Sequence, residues 1–339
     1  MKIPVQVWSI SEKKGTMYEK FISAGIPIIL KSTGYFNLRK WYFVLRYFKS
    51  ENISGIVAFH GNFGGVLMVL AWIAGVEKRI VFYRRSTPAF ELTFLKRLYH
   101  YLSGRLILLF ATHILSNSKS AFTNFFPGRE NRDKRFKIIR NGVESKLLIS
   151  SKNKSALRFE NDIPNDAIII GHVGRYDPAK NHETIFAVAK VVCQLQPNIY
   201  FLFCGLGTDS TAFKERLDYY GITKYCYCLG VSDIIGDVYC MMDIFFFPSI
   251  TEGQPNALIE AMIAGLPIIA SNIDAIKEAT PHSFYDKLID PFAIDSFITI
   301  FKEILNNQIE IEGYMHSDFS KDQFDVEKRF FEFQKVLND

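Results

Sequence analysis

The sequence predicts an α/β protein built from two Rossmann-like domains with parallel sheets. The first observation is the length of 339 residues, which exceeds what one hydrophobic core usually supports. The second is that short β-branched or aromatic segments alternate with longer helical ones. The third is that the strand segments are apolar almost throughout, as is typical of parallel sheets covered on both faces. With 48% hydrophobic and 22% charged residues, the chain is neither disordered nor fibrous.

Eleven segments have the composition of strands. In chain order they are residues 5–9, 26–30, 53–60, 80–83, 114–117, 138–140, 168–173, 200–204, 225–229, 244–248 and 267–271. Helical periodicity is clearest over 183–196, 211–220 and 234–242, and an amphipathic helix over 322–337 is expected to close the chain. Because strands and helices alternate, the connections are expected to be parallel crossovers.

A polar stretch over residues 150–166 marks the predicted domain boundary. We expect one domain over 1–149, a second over 150–312, and a helical segment over 313–339 that packs back on the first domain. The charge reverses at the same place. Residues 1–140 carry 23 Lys and Arg against 7 Asp and Glu, a net +16, whereas residues 141–339 carry 17 against 28, a net −11. The basic half indicates an anionic partner, either a membrane surface or a nucleic acid.

Cysteine usage and hydropathy indicate a cytoplasmic protein without a membrane span. None of the five cysteines has CxxC spacing, so a disulfide framework or a zinc site is not expected. Charged residues interrupt the first fifteen positions, which excludes a secretory signal there. The longest apolar stretches, 66–76 and 106–111, are too short to cross a bilayer. We therefore expect a protein that touches a membrane without crossing it.

The segment TEGQPNALIEAMIAGLPIIAS, residues 251–271, carries the densest chemical signal. Pro255 suits a first helical turn and Gly265 a helix end, so a loop with Glu252 and Gly253 leads into a helix that carries Glu260. The start of that helix is an anion site made by the N–H groups of Asn256, Ala257 and Leu258. Two carboxylates beside an anion site suit a sugar diphosphate. From the spacing alone, a plain helix with two exposed glutamates is an equally good interpretation.

Two further loops follow predicted strands. In GHVGRYDPAKNHETI, residues 171–185, Gly174 permits a tight turn before Arg175 and Lys180, and these two cations can converge on one diphosphate. Taken alone, two solvated loop charges are the favoured interpretation. In FCGLGTDS, residues 203–210, Gly205 opens a glycine turn that is weak evidence by itself. All three loops lie at carboxyl ends of strands of the second domain, which strengthens the functional interpretation.

Four segments together resemble the motifs of the retaining GT-B glycosyltransferases of family 4. They are GRYDPAKN, FCGLGTD, YCLGVSDIIGDVYCMMDIFFFPS and EGQPNALIEAMIAGLPIIAS. The resemblance extends over residues 110–275, through SNSKSAFTNFF and IRNGVESKLL. This family acts in bacterial capsule, O-antigen, exopolysaccharide and lipopolysaccharide assembly. The resemblance implies a GT-B fold in which an N-terminal acceptor domain faces a nucleotide-sugar-binding domain across a cleft.

The resemblance also implies roles for individual residues. Glu252 contacts hydroxyls of the donor sugar, while Arg175 and Lys180 neutralise its diphosphate; these three are the implied catalytic residues. Glu260 holds the ribose. The implied donor-binding positions are Gly174, Gly205, Val231, Ser232, Gly253, Asn256, Ala257, Leu258 and Glu260, among which Val231 and Ser232 lie beside the base.

The implied reaction is transfer of a hexose, with retention, from a UDP- or GDP-linked sugar to a glycan or to a polyprenyl-pyrophosphate-linked acceptor. The family uses the nucleotide sugar as a co-substrate and needs no metal or other cofactor, and no DxD cluster occurs in the sequence. In the front-face mechanism proposed for such enzymes the leaving phosphate takes the acceptor proton. No nucleophile from the protein is then required.

The first half resembles the family less closely. His60, in AFHGNFGG, and Arg84 and Arg85, in VFYRRSTPAF, are the candidate acceptor-side residues, and an arginine there suits an acceptor phosphate. The usual first strand and Gly-Gly loop are not recognisable in residues 1–30. We therefore expect either an upstream extension or a sheet that lacks its usual central strand.

Three alternatives stay open on sequence alone. The first is a non-catalytic or partner-dependent GT-B protein that binds a nucleotide sugar, and the second is a GT-B epimerase. The third is a nucleic-acid binder, although no aromatic-flanked RNA motif or helix-turn-helix pattern supports it. Residues 90–110 mix basic and large apolar side chains. They suit a helix on the anionic inner face of the cytoplasmic membrane as well as a buried connecting helix.

Overall fold

The computed structural model describes residues 4–15, 17–34, 37–85, 93–307 and 309–338. The chain divides into two compact units. Unit 1 is Met1–Phe82 with Thr93–Ile114, and unit 2 is Tyr83–Leu92 with Leu115–Asp339. The boundary predicted after residue 149 lies inside unit 2, because the Ser150 hydroxyl donates to Asp237 Oδ1 at 2.5 Å. The assignment of 1–149 and 150–312 to two functional domains stays a prediction.

Strands form where β-branched and aromatic residues were expected to form them. The described strands are β1 (Val7–Ser9), β2 (Ile28–Leu30), β3 (Gly55–Ala58), β4 (Lys78–Tyr83), β5 (His113–Ser116), β6 (Phe136–Ile138), β7 (Ile168–Val173), β8 (Ile199–Cys204), β9 (Cys226–Cys228), β10 (Ile244–Phe247) and β11 (Ile268–Ala270). Each overlaps one of the eleven predicted segments. Strand β6 begins two residues earlier than predicted, because Phe136 is buried against the ring of Phe122, 5.0 Å between centroids.

Helices connect the strands throughout. They are α1 (Tyr18–Ser23), α2 (Leu38–Ser50), α3 (Gly65–Ile73), α4 (Phe94–Phe110), α5 (Lys119–Phe125), α6 (Lys154–Glu160), α7 (His182–Val192), α8 (Thr211–Tyr220), α9 (Ile235–Met241), α10 (Asn256–Ile263), α11 (Asp274–Ala279), α12 (Ile294–Leu305), α13 (Ser317–Gln323) and α14 (Val326–Asn338). The predicted closing helix over 322–337 is interrupted near its start, since α13 ends at Gln323 and α14 begins at Val326. Between them the Phe324 carbonyl accepts from the Val143 N–H at 2.8 Å. No helix of the described ranges combines the length and hydropathy that a membrane span requires.

The strands form three sheets. Strands β1 and β2 make a parallel pair, and a second sheet has the order β3-β4-β5-β6. The third sheet lies in unit 2, has the order β11-β10-β7-β8-β9, and is parallel in all four pairings. This third sheet positions the candidate site.

The sheet of unit 2 is covered on both faces. Phe245 and Phe247 of β10 belong to one buried hydrophobic cluster, whereas Phe246 between them belongs to another. All three side chains are fully buried. Alternate residues of a strand point to opposite faces, so both faces of β10 lie against protein. Near-continuous apolar strands predicted this arrangement.

Unit 1 has a smaller core. Its described cluster centres on Val44, Phe48, Leu70, Ala71 and Val76, from α2, α3 and the turn after α3. Helices α3 and α4 approach closely, because a Cβ atom at Gly65 would lie only 2.6 Å from the Ser103 carbonyl oxygen. Glycine at this position therefore sets the distance between these two helices.

Candidate active site

The sheet of unit 2 reverses its strand order between β7 and β10. Strands β8 and β9 extend the sheet on one side of β7, while β10 and β11 extend it on the other. In open α/β sheets, ligands bind beyond the carboxyl ends of the strands at such a reversal. The loops that follow β7 and β10 therefore define the candidate site.

Lys180 and Glu252 meet at this reversal. Lys180 Nζ lies 2.6 Å from Glu252 Oε1, and the two side chains are only 18% and 11% exposed. The ammonium also lies 4.8 Å from the centroid of the Phe247 ring. An ammonium carries three N–H donors, so its contact with Glu252 leaves donors for a bound anion. The fold thus joins two predicted site residues that are 72 positions apart in the chain.

Hydrogen bonds hold the loops after β7 and β10 together. The Ile250 N–H donates to the Ala179 carbonyl at 2.9 Å. Asn181, in the left-handed region with φ 58°, donates from Nδ2 to the Pro248 carbonyl at 3.0 Å. Asparagine tolerates this backbone conformation better than most residues. As a result, one hydrogen-bonded frame presents both Lys180 and the segment that carries Glu252.

Glycines bring the loops after β7, β8 and β9 into direct backbone contact. A Cβ atom at Gly205, whose φ is +145°, would lie 2.2 Å from the Gly174 carbonyl oxygen. The Gly205 N–H donates to the Gly230 carbonyl at 2.6 Å. Only glycine fits such an approach in this backbone region. Arg175 follows Gly174 directly and is exposed to solvent, so its guanidinium is accessible to a ligand.

Helix α10 begins directly after the Glu252 loop. Within the described residues no side chain caps its N-terminus, which follows Pro255. The Asn256 N–H donates to the Gln254 carbonyl at 2.9 Å. The Asn256 N–H is therefore used by the local turn and is not open to an anion, contrary to the expectation. Contact of an anion with the N–H groups of Ala257 and Leu258 stays a prediction.

Glu260 lies one turn further along α10 and is partly buried. The Tyr239 hydroxyl lies 2.9 Å from Glu260 Oε2 and 3.0 Å from the Ala257 carbonyl oxygen. Burial raises the pKa of Glu260, while the Tyr239 hydrogen bond and the charge of Lys180 act in the opposite direction. Burial also raises the pKa of Tyr239 well above its usual value, so its hydroxyl is a donor at neutral pH. The carboxylate is thus oriented by a fixed hydrogen bond.

The loop after β9 lies next to the glycine turn after β8. Val231 is 68% exposed. The Ser232 hydroxyl accepts from the Ile234 N–H at 3.3 Å and so shapes the loop. Gly230 has φ +65°, and a Cβ atom there would lie 2.7 Å from Asp209 Oδ2. The contact of Val231 and Ser232 with a base stays a prediction.

Two of the candidate acceptor-side residues lie against the Glu252 loop. Arg84 and Arg85 follow β4 and are exposed. A Cβ atom at Gly253 would lie 2.5 Å from the Arg84 carbonyl oxygen and 3.1 Å from Arg85 Cα. His60 belongs to unit 1, where it follows β3, and desolvation lowers its pKa. Its acceptor-side role stays a prediction.

Sequence reasoning missed a pair of buried histidines behind the β7 loop. The rings of His172 and His182 lie 4.9 Å apart, and His172 Nδ1 lies 2.9 Å from the Phe246 carbonyl oxygen, to which it donates. Burial and the charge of Lys180 lower the pKa of His182 to about 4. Burial places the pKa of His172 well below its usual value. Both rings are therefore neutral at physiological pH and add no positive charge beneath Lys180.

Gln254 and Asn141 also escaped the sequence analysis. The Gln254 side chain forms two hydrogen bonds with the backbone of Asn141. Both residues lie in segments that carry the family resemblance, which was the available signal. The two residues are 113 positions apart, and nothing in the local pattern of either segment indicates that they pair.

No group of three or more His, Cys, Asp or Glu side chains suited to a metal ion occurs in the part of the chain that the structure describes. The loop after β7 contributes the cations Arg175 and Lys180 to the site. Metal independence stays a prediction.

The parallel sheets and the loops at the strand reversal are those of a GT-B glycosyltransferase fold. The crystal structure of Anabaena HepE in complex with UDP-glucose matches with a TM-score of 0.80 over 96% of this chain and 90% of that chain, at 18% identity. Residues 153–321 match the family described as glycosyl transferases group 1, so this segment is similar to the glycosyltransferase domain of that family. The predicted fold class and the resemblance to GT-B glycosyltransferases are thereby confirmed, whereas retention and membership of family 4 stay predictions.

The relatives include bacterial glycosyltransferases that are named for capsular polysaccharide or O-antigen biosynthesis. CapH of Staphylococcus aureus, a capsular polysaccharide biosynthesis glycosyltransferase, is 27% identical over 81% of this chain and 75% of its own length. An Escherichia coli UDP-Gal:alpha-D-GlcNAc-diphosphoundecaprenol alpha-1,3-galactosyltransferase is 28% identical over 51% of this chain. The chain spans 46% of that galactosyltransferase and 56% of EpsF from Bacillus subtilis (strain 168).

Proposed function

We propose that this protein transfers a hexose, with retention, from a UDP- or GDP-linked donor to a glycan or lipid-linked acceptor in cell-surface polysaccharide synthesis. The observation that carries the proposal is the Lys180–Glu252 ion pair, which lies at the strand reversal beside the start of α10. An ammonium, a carboxylate and free backbone N–H groups together suit a sugar diphosphate. The ammonium and the N–H groups bind phosphate, and the carboxylate accepts from sugar hydroxyls.

Each residue has a distinct part in the proposed reaction. Lys180 and Arg175 hold the diphosphate of the donor together with the N-terminus of α10. Glu252 accepts hydrogen bonds from hydroxyls of the sugar, and Glu260, oriented by Tyr239, accepts from the ribose. The loop of Val231 and Ser232 lies beside the base.

The chemistry exchanges one bond at the anomeric carbon for another. The bond between this carbon and the diphosphate oxygen breaks, and a bond to the acceptor oxygen forms on the same face. The acceptor proton passes to the departing diphosphate, so no nucleophile from the protein is required. Negative charge develops on the leaving group, where fixed cations and helix N–H groups stabilise the transition state most. The proposal includes metal independence, because these groups supply the compensating charge.

The relatives support a uridine donor and a lipid diphosphate acceptor. HepE was crystallised with UDP-glucose, and the Escherichia coli galactosyltransferase is named for UDP-galactose and a diphosphoundecaprenol acceptor. For this chain we propose the same classes of donor and acceptor. A screen of nucleotide sugars identifies the hexose.

The test of the proposal is the release of nucleoside diphosphate from UDP- and GDP-hexoses by the purified protein. Glu252→Ala is expected to lower this release by about 10²–10³-fold, because it removes a contact made in the transition state. Glu215→Ala, at an exposed position of α8, is the matched control and is expected to leave the rate unchanged. Nucleotide binding without release from any donor would favour the non-catalytic alternative, and neither binding nor release would contradict both.

We also propose that unit 1 docks at the anionic inner face of the cytoplasmic membrane through α4. This helix contains no Asp or Glu. Its exposed apolar residues are Phe94, Leu95, Leu98, Tyr101, Leu102 and Leu109, and its cations are Lys96, Arg97 and Arg105. Exposed apolar side chains beside cations suit the headgroup region of an anionic bilayer. We expect the protein to float with phosphatidylglycerol vesicles at low salt but not with phosphatidylcholine vesicles.

A further inference from the structure

The side chain of Gln254 forms a two-sided bracket with the backbone of Asn141. The Asn141 N–H donates to Gln254 Oε1 at 2.8 Å, and Gln254 Nε2 donates to the Asn141 carbonyl at 3.0 Å. A primary amide presents one acceptor and one donor side by side, so it can form the same pair of hydrogen bonds with a backbone residue that a neighbouring strand forms. The loop between Glu252 and α10 is therefore fixed to the segment that follows β6.

The side chain of Asn141 extends this bracket in two directions. Its Nδ2 donates to Asn256 Oδ1 at 3.2 Å, and its Oδ1 accepts a longer contact from the Arg84 guanidinium at 3.4 Å. A guanidinium only donates, so Oδ1 must face Arg84 and Nδ2 must face Asn256. Asn141 is thus a bridge from the first residue of α10 to a candidate acceptor-side cation.

A backbone contact reinforces the bridge. Gly253 lies so close to Arg84 that an added Cβ atom would be 2.5 Å from the Arg84 carbonyl oxygen. A Cβ atom at Gly142, the residue after Asn141, would be 2.4 Å from Val326 Cα, so this segment also lies directly against the start of α14. The Asn141 segment therefore makes close backbone contacts in addition to its hydrogen bonds.

We infer that Asn141 and Gln254 are positioning residues for transfer. Gln254 fixes the Glu252 loop and the N-terminus of α10, and Asn141 holds the Arg84 guanidinium at a set place beside them. This inference rests on the proposed function, in which α10 receives the donor diphosphate and Arg84 an acceptor phosphate. Transfer depends on such placement, since a misplacement of about 1 Å costs about 10²-fold in rate.

Two binding measurements separate the roles of the two residues. The first is the affinity for UDP, and the second is the affinity for farnesyl diphosphate, a lipid diphosphate probe, in the presence of saturating UDP. Arg84→Ala is expected to weaken the second by about tenfold, because a hydrogen bond between charged groups is lost. Asn141→Ala is expected to weaken it by a similar factor and to leave UDP affinity within about twofold. Gln254→Ala is expected to weaken the affinity for UDP in addition to that for farnesyl diphosphate.

The double variant Arg84→Ala/Asn141→Ala is the decisive comparison. If Asn141 acts through Arg84, the double variant binds farnesyl diphosphate as weakly as Arg84→Ala alone. Additive losses, or no loss in Asn141→Ala, would overturn the inference, and so would a wild-type protein that does not bind the probe. Gln196→Ala, whose side chain also bonds a backbone carbonyl in unit 2, is the matched control and is expected to change neither affinity.

The binding readouts also distinguish this inference from the proposed function. Both use ligands that are not turned over, so they report on placement even if the protein releases no nucleoside diphosphate. Failure of the Glu252-dependent release would contradict the proposed reaction alone. Thermal unfolding of each variant shows whether a loss of affinity comes from a loss of fold.

Discussion

Helices α7 and α4 are both amphipathic connections within α/β layers, yet they differ in what surrounds them. Seven of the eleven residues of α7 are buried, whereas only Ser103 and Ile107 of the seventeen residues of α4 are. The buried residues of α7 include Phe186, whose ring lies 5.2 Å from that of Phe213. The outer face of α4 carries Phe94 and Leu95, which are 79% and 75% exposed.

The difference indicates that apolar residues serve two purposes in this chain. On α7 they fill the core that keeps the loop of Lys180 in place at the sheet edge. On α4 they face outward beside cations, where they contribute little to the free energy of folding. The apolar content of the sequence alone does not separate these cases, because both helices are rich in apolar residues. Burial in the fold is what separates them.

The largest expected effect is on stability. Phe186→Ala is expected to lower the free energy of unfolding by about 3–5 kcal/mol, because it leaves a cavity among fully buried rings. Leu95→Ala, on the outer face of α4, is expected to change it by less than about 0.5 kcal/mol. Urea unfolding followed by circular dichroism measures both. A loss in Leu95→Ala comparable to that in Phe186→Ala would show that the outer face of α4 packs on protein and not on solvent.

A smaller effect is expected on membrane binding. Lys96→Glu/Arg97→Glu on α4 is expected to weaken binding to phosphatidylglycerol vesicles by about thirtyfold or more, at about 1 kcal/mol for each cation lost. The matched control, Lys190→Glu/Lys214→Glu, makes the same charge change at exposed positions of α7 and α8. Equal losses in the two variants would indicate that net charge alone, and not the face of α4, determines binding. Co-sedimentation at low and high salt provides the measurement.

The strands and the loops of the candidate site were predictable because their signals are local. Each strand is a short run of apolar residues, and the start of α10 follows from Pro255 and the helix formers after it. The placement of Glu252, Arg175 and Lys180 at one sheet edge follows from parallel topology, since the carboxyl ends of neighbouring strands share an edge. The resemblance then added a role for each residue.

The contacts between distant segments were not predictable. Glu252 pairs with Lys180 across 72 positions and Gln254 with Asn141 across 113, and neither segment shows its partner. The start of β6 was predicted two residues too late because the packing of Phe136, a tertiary contact, decides where the strand begins. Both histidines behind Lys180 were missed because a buried neutral histidine has no sequence signature of its own.

The smallest effect is expected at Tyr239. Burial raises the pKa of Glu260 and the Tyr239 hydrogen bond opposes that rise, so Tyr239→Phe is expected to raise the pKa further. A carboxyl group whose pKa is raised by folding binds protons more readily in the folded state. The free energy of unfolding therefore falls as pH rises from the ordinary pKa of a glutamate to the raised pKa of Glu260 in the folded state. The variant extends that pH range upward, so its stability deficit relative to wild type is greatest at neutral pH and shrinks on acidification.

A corresponding shift with pH is expected in donor binding, because the proposed ribose contact requires the carboxylate form of Glu260. The acidic limb of UDP affinity against pH should move to higher pH in Tyr239→Phe. Tyr285→Phe, which removes a hydroxyl that donates to the Lys277 carbonyl at 2.9 Å, is the matched control and should leave the limb in place. An unchanged limb in Tyr239→Phe would mean that Glu260 does not hold the ribose. Glu260 would then contribute to the packing of unit 2, as the buried residues of α7 do, and not to donor binding.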